Sequence, residues 1–131
     1  MEQFTIKSKA RTEMIDITSK VNNAVNNMKV RDGLCLVFVP HTTAAVTINE
    51  NADPSVRSDI KGKLDEIFPW DDPEYRHFEG NSAAHIKASL TGSSELLIVK
   101  QGKLVLGRWQ SLFFCEFDGP RNRKVFVKVM A

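Results

Sequence analysis

Residues 34–69 read LCLVFVPHTTAAVTINENADPSVRSDIKGKLDEIFP, and the punctuation of this stretch decides the class of fold. Leu34 to Val39 is a continuous β-branched and aromatic run of the length expected for a strand buried on both faces. Pro40 ends it. After His41-Thr42-Thr43, the segment Ala44 to Asn49 reads as a second strand, expected to pair with its predecessor. Asp53 then suits a helix N-cap and Pro54 the first helical position. Val56, Ile60, Leu64 and Phe68 recur along one stripe, and Pro69 stops the helix.

Toward the N-terminus, Gln3 to Ser8 and Met14 to Thr18 alternate apolar and polar residues with the period of half-buried strands. Thr18 or Ser19 is placed to cap a helix carrying Val21, Ala24, Val25 and Met28, and Asp32-Gly33 marks a turn. Toward the C-terminus, Trp70 to Gly80 has the composition of a loop, followed by a short helix from Ser82 to Leu90. Glu95 to Val99, Lys103 to Leu106 and Leu112 to Asp118 are strand signals. After a turn at Gly119-Pro120, Lys124 to Met130 is a last strand, alternating Val125, Val127 and Val129 with polar residues. Strands dominate both ends and helices fill the middle, so the expected class is α+β in a single domain over residues 1–131.

Composition narrows the function. The charged share is 26%, the hydrophobic share 42%, and 18 basic against 16 acidic residues leave a formal charge of +2. No block of Lys or Arg resembles a nucleic-acid or anionic-membrane surface, so neither partner is expected. The longest apolar run has six residues, Leu34 to Val39, far short of the roughly twenty that span a bilayer. The N-terminal MEQFTIKSKARTEM is polar and unlike a signal peptide. Cys35 and Cys115 sit singly in apolar stretches, as buried reduced thiols do, and the expected location is cytoplasmic.

Three polar segments exceed what a fold requires: His41 to Asp53, His77 to His85, and Gly107 to Arg121. All three histidines of the chain fall in the first two. His41 follows a strand, where functional side chains tend to emerge, and His77 and His85 flank the Gly80-Asn81 turn, so one pocket for all three is expected. The neighbouring Ala44, Ala45, Ser82, Ala83 and Ala84 are small, as where a backbone approaches a ligand. His41, His77 and His85 with Glu79 suit a divalent cation such as zinc, magnesium or manganese; no organic cofactor is expected. Asn49, Glu50 and Asp53 are the acid and amide candidates; Glu50 could support a histidine or act as general base, whereas an N-cap role alone explains Asp53. Trp109 and Gln110 suit a ligand wall or a bulge with a buried Trp, Asn81 joins the substrate-binding candidates, and Arg121 and Arg123 could grip a phosphate, although on the sequence such residues are more often turn-surface charges.

The successive stretches HTTAAVTINENADPSVR, HFEGNSAAHIKASLTGSS and GKLVLGRWQSLFFCEFDGPR resemble, in order and separation, the motifs of the YjbQ family. The resemblance extends from about Ile17 onward. It implies about seven strands in two sheets, a β-sandwich with two to three helices, assembled as a homotrimer. It implies a site using His41, Asn49, Glu50, Asp53, His77, Glu79 and His85; of the histidines, His85, on a rigid helix, is the one expected to carry the proton. It further implies a phosphorylated small-molecule substrate and a secondary thiamine-phosphate synthase activity, joining an aminopyrimidine diphosphate to a thiazole phosphate. A metal-dependent hydrolase and a non-catalytic trimer that binds a metal or metabolite are the alternatives. The chain departs from the family pattern at Arg108, where a threonine is usual, and at Ala83-Ala84, where Met-Pro is common.

Overall fold

A computed structural model describes residues 1–131. The elements follow as β1 (Glu2–Lys7), β2 (Glu13–Asp16), α1 (Thr18–Asn27), β3 (Asp32–Phe38), β4 (Ala44–Glu50), α2 (Pro54–Ile67), α3 (Ser82–Thr91), β5 (Ser94–Lys100), β6 (Lys103–Leu104), β7 (Gln110–Glu116) and β8 (Asn122–Met130). The strands form two antiparallel sheets, β1-β8-β3-β5-β6 and β2-β7-β4. The class is the expected α+β, with eight strands rather than seven. No helix is long and apolar enough to cross a membrane.

The two sheets face each other across the main core. Cys35, Val37, Val99, Val125 and Val127 come from the larger sheet, and Val46, Leu112 and Phe114 from the smaller; Val21, Ala24 and Val25 of α1 join them. Each fully buried side chain of this kind contributes about 1.5–3 kcal/mol relative to exposure. The other face of the small sheet carries Ala45, Phe113 and Cys115, which meet Ala84 and Ala88 of α3 and, less closely, Ile60 and Leu64 of α2. Strand β7 is therefore covered on both sides. Both cysteines are free and buried, and burial pushes the thiols up to about 11 for Cys35 and about 12 for Cys115.

The helix start at Asp53 is as expected: its Oδ1 accepts the Ser55 N–H at 2.9 Å, and Pro54 opens α2. Several other expectations are corrected. Strand β4 does not pair with β3 but runs beside β7, from Ala44 opposite Glu116 to Glu50 opposite Gln110. Pro40 and the following three residues carry the chain from one sheet to the other instead of turning back as a hairpin. Asp32 and Gly33 are in β3, not in a turn, because a Cβ at Gly33 would lie 2.0 Å from the Met130 carbonyl oxygen and only glycine admits that approach. Thr18 does not cap α1. Its Oγ1 accepts the Leu112 N–H at 2.9 Å, tying the helix start to β7.

Strand β3 is also not buried on both faces. Cys35 and Val37 point into the core, whereas Leu34 and Phe38 are exposed. The register sets Leu34 between Ile98 and Met130, Leu36 beside Leu96, and Phe38 beside Phe126. Leu96 and Ile98 are 57% and 56% exposed. Antiparallel sheets that face water normally place polar residues there, so the outer face of the large sheet is apolar without a cover within the chain.

Candidate functional site

The site lies at the end of the sandwich where β3 and β8 part. Alternation along β7 directs Leu112, Phe114 and Glu116 into the interior, so a carboxylate enters the core at the strand's end. Alternation along β8 directs Arg123 to meet it. Arg123 Nε donates to Glu116 Oε1 at 2.9 Å, and its Nη2 donates to Thr43 Oγ1 at 2.8 Å. Ser8 Oγ donates to Glu116 Oε1 at 2.7 Å, and the Asp118 N–H to Oε2 at 3.0 Å. Burial alone would raise the Glu116 carboxyl, but the hydrogen bonds from Arg123, Ser8 and Asp118 outweigh it and hold it below the usual carboxylate range.

Above this pair opens a polar cleft of about 500 Å³ lined by His41, His77, Glu79, His85, Arg121 and Arg123, among others. That volume is in the range of small-molecule sites. The structure thus brings the three histidines together, with Glu79 beside them. The His77 and His85 rings stand edge to face with centroids 5.3 Å apart, and His77 Nε2 is 3.8 Å from Glu79 Oε2.

Asn81 organises the start of α3. It occupies the N-cap position, yet its side chain does not cap; Nδ2 donates instead to Asp118 Oδ2 at 3.0 Å. Its Oδ1 is buried without a partner, a condition that costs about 1–3 kcal/mol and marks a site with another purpose. Asp118 Oδ2 also accepts from Arg121 Nη2 at 2.9 Å. The small alanines serve packing here: Ala45 of β4 and Ala83 and Ala84 of α3 are fully buried, and Ala44, also buried, edges a cleft between His41 and His85.

His41 is held differently from the other two. Its Nε2 accepts the Lys124 backbone N–H at 2.9 Å. Burial, and next the Arg123 charge, push its imidazole below the ordinary range, while Glu116 pulls the other way.

For a cation, His77, Glu79 and His85 have the donor chemistry of a borderline metal, but no three His, Cys, Asp or Glu side chains of the chain converge on one point. A closed zinc site is therefore not formed by this arrangement. Magnesium makes a different demand, because it takes most of its ligands from water and substrate phosphates and needs one or two protein carboxylates. Glu79 fits that role.

The remaining candidates lie elsewhere. Strand β4 separates Ala44 from Glu50 by about 20 Å at the usual rise per residue, so Asn49, Glu50 and Asp53 sit at the far end from the histidines. Gln110, paired with Glu50, is at the same far end, where its Oε1 accepts the Gly107 N–H at 2.7 Å. Trp109 is 54% exposed, neither core nor pocket wall, with the Arg108 guanidinium 4.6 Å from its ring. Within one chain, neither group touches the histidine cleft.

Sequence reasoning passed over Glu116, Asp118 and Thr43, and favoured a surface place for Arg123. The available signal was the glutamate inside the otherwise apolar LFFCEF. A charge in a strand covered on both faces requires a buried partner.

The comparisons with known proteins agree with this architecture. The family model described as UPF0047 protein YjbQ-like matches residues 2–131. The UPF0047 protein YugU of Bacillus subtilis is 48% identical over 130 residues, covering 99% of this chain and 98% of that protein. MJ1081 of Methanocaldococcus jannaschii is 50% identical, covering 98% and 92%. The crystal structure of a YjbQ/UPF0047 protein from Clostridium acetobutylicum superposes with a TM-score of 0.96 at 54% identity, covering 99% and 100%. TT1486 from Thermus thermophilus superposes with a TM-score of 0.93 at 43% identity, covering 99% and 100%. Sequence motifs, sheet order and these matches lead to one conclusion: the chain belongs to the YjbQ/UPF0047 family.

Proposed function

We propose that the histidine cleft is the active site of a slow transferase of the thiamine-phosphate synthase type. One observation carries the reading: the three histidines share a polar cleft with Arg121, Arg123 and Glu79. In the reaction, the thiazole ring nitrogen forms a bond to the pyrimidine methylene carbon as the bond from that carbon to the diphosphate oxygen breaks. Negative charge gathers on the leaving group, where Arg121 stabilises it. His85, on the regular helix α3, protonates the departing diphosphate. Magnesium accompanying the diphosphate would be held by Glu79 and would neutralise part of its charge.

The assay combines purified protein, both phosphorylated substrates and magnesium, and measures thiamine phosphate. The reading requires product that depends on both substrates. Protein that binds neither substrate and makes no product overturns it.

Self-association belongs to the same proposal. The apolar outer face of the large sheet, with Leu34, Phe38, Leu96 and Ile98, supports contact with further copies of this chain in the homotrimer that the family resemblance implies. A second copy is favoured because Leu34, Phe38, Leu96, Ile98, Phe126 and Met130 adjoin across three neighbouring strands, with Lys128 among them.

A further inference from the structure

The register of β3 on β8 sets Val37 opposite Val127 and Phe38 opposite Phe126. Continued by two residues, it would set Pro40 opposite Lys124. Proline has no N–H and cannot extend the ladder; Val39 still donates to the Ser93 carbonyl on the β5 side, and beyond it the chain leaves β8. The Lys124 N–H, left without a strand partner, is taken by the ring of His41. A backbone N–H is a donor only, so the nitrogen it meets must offer a lone pair. Nε2 of His41 is therefore unprotonated, and in the neutral ring the proton resides on Nδ1. That nitrogen has no partner in the chain, and His41 lines the cleft.

We propose that His41 is a fixed hydrogen-bond donor, through Nδ1–H, to an anionic oxygen of the bound ligand, and not a metal ligand. The inference rests on the proposed transferase site and specifies its substrate contact. It gives His41 an anion-contact role in the cleft that it shares with Arg121, His77, Glu79 and His85. A metal ligand must supply a lone pair, and the one lone pair of His41 is already engaged by Lys124. The charged groups around the ring are Arg123, Lys124 and Glu116. Both cations disfavour a second proton, so the donor remains a neutral imidazole. Its strength as an anion contact comes from direction and from the partial exclusion of water.

The test is long-range proton–nitrogen correlation NMR on the full chain labelled with nitrogen-15, before and during titration with inorganic phosphate. The expected result is a single His41 tautomer with a protonated Nδ1 and a lone-pair-bearing Nε2. The Nδ1 resonance should then move with saturating phosphate. His41→Ala should raise the phosphate dissociation constant about tenfold, the usual scale of one hydrogen bond to a charged group. A proton on Nε2, an Nδ1 signal unmoved by phosphate, or unchanged affinity in His41→Ala overturns the proposal. These readouts need no turnover, so they are separable from the transferase reading. Phosphate bound at His41 with no thiamine phosphate made removes the transferase reading and leaves this inference standing.

Discussion

Arg123 Nε lies 2.9 Å from Glu116 Oε1 inside the sandwich, so one ion pair joins the two sheets directly beneath the histidine cleft. Arg123 comes from the five-stranded sheet and Glu116 from the three-stranded sheet. The pair also holds Thr43, two residues after His41. Stability and site geometry thus share one set of contacts.

Removing one partner strands the other charge in a buried position. Arg123→Met should destabilise the fold by about 3–5 kcal/mol, the scale for breaking a buried pair. Replacing both, as Glu116→Gln with Arg123→Met, should recover part of the loss. Chemical denaturation of the three proteins checks the order. The pair also sets a pH dependence. The folded carboxyl of Glu116 titrates below the unfolded value of about 4.3, so its contribution is present above that pH. It is lost as pH falls through the folded value, and Glu116→Gln should flatten the acid limb of a stability profile.

Leu96→Lys on the outer face of the large sheet should dissociate the assembly without unfolding the chain. Light scattering coupled to size exclusion should give three times the 14.8 kDa chain mass for the wild type and a lower mass for the variant. Circular dichroism should be unchanged, since Leu96 does not face the core. A wild-type monomer at all micromolar concentrations contradicts the proposed assembly.

Ala84 is fully buried and packs with Ala45 beneath α3. Ala84→Leu overpacks that contact and should cost about 1–3 kcal/mol. Because His85 is the next residue, turnover should fall as well, more than the loss of folded protein explains. Ser89→Leu, at an exposed place on the same helix, should leave stability within about 0.5 kcal/mol of wild type.

Neither thiol should react in the folded protein. Burial removes access, and a thiol pushed up to about 11 or about 12 has almost no thiolate at neutral pH. Iodoacetamide followed by mass spectrometry should label Cys35 and Cys115 only after denaturation.

The local code was readable in the sequence where one residue decides one element. Asp53-Pro54 opened α2 and Pro69 closed it because capping and ring sterics act over a few residues. Sheet partnership was not readable in the same way. Nothing between Pro40 and Ala44 states whether the chain turns back or crosses to the other sheet. The apolar run from Leu34 also misled, because periodicity reports an apolar face but not what covers it. The clustering of His41, His77 and His85 followed from loop positions, whereas the distant place of Glu50 depends on the direction of β4, which is tertiary information. Arg123 was favoured as a surface charge for the same reason: its partner, Glu116, lies on another sheet.

The central claim is that the histidine cleft performs the transfer, and the rate of thiamine phosphate formation by His85→Ala relative to wild type tests it most directly. His85 is half-buried in a polar cleft and belongs to neither apolar cluster, so the variant should fold. With magnesium and both substrates saturating, the account predicts a loss of about 10²–10⁴-fold, as expected when a general acid is removed. Equal rates in the two proteins would contradict it.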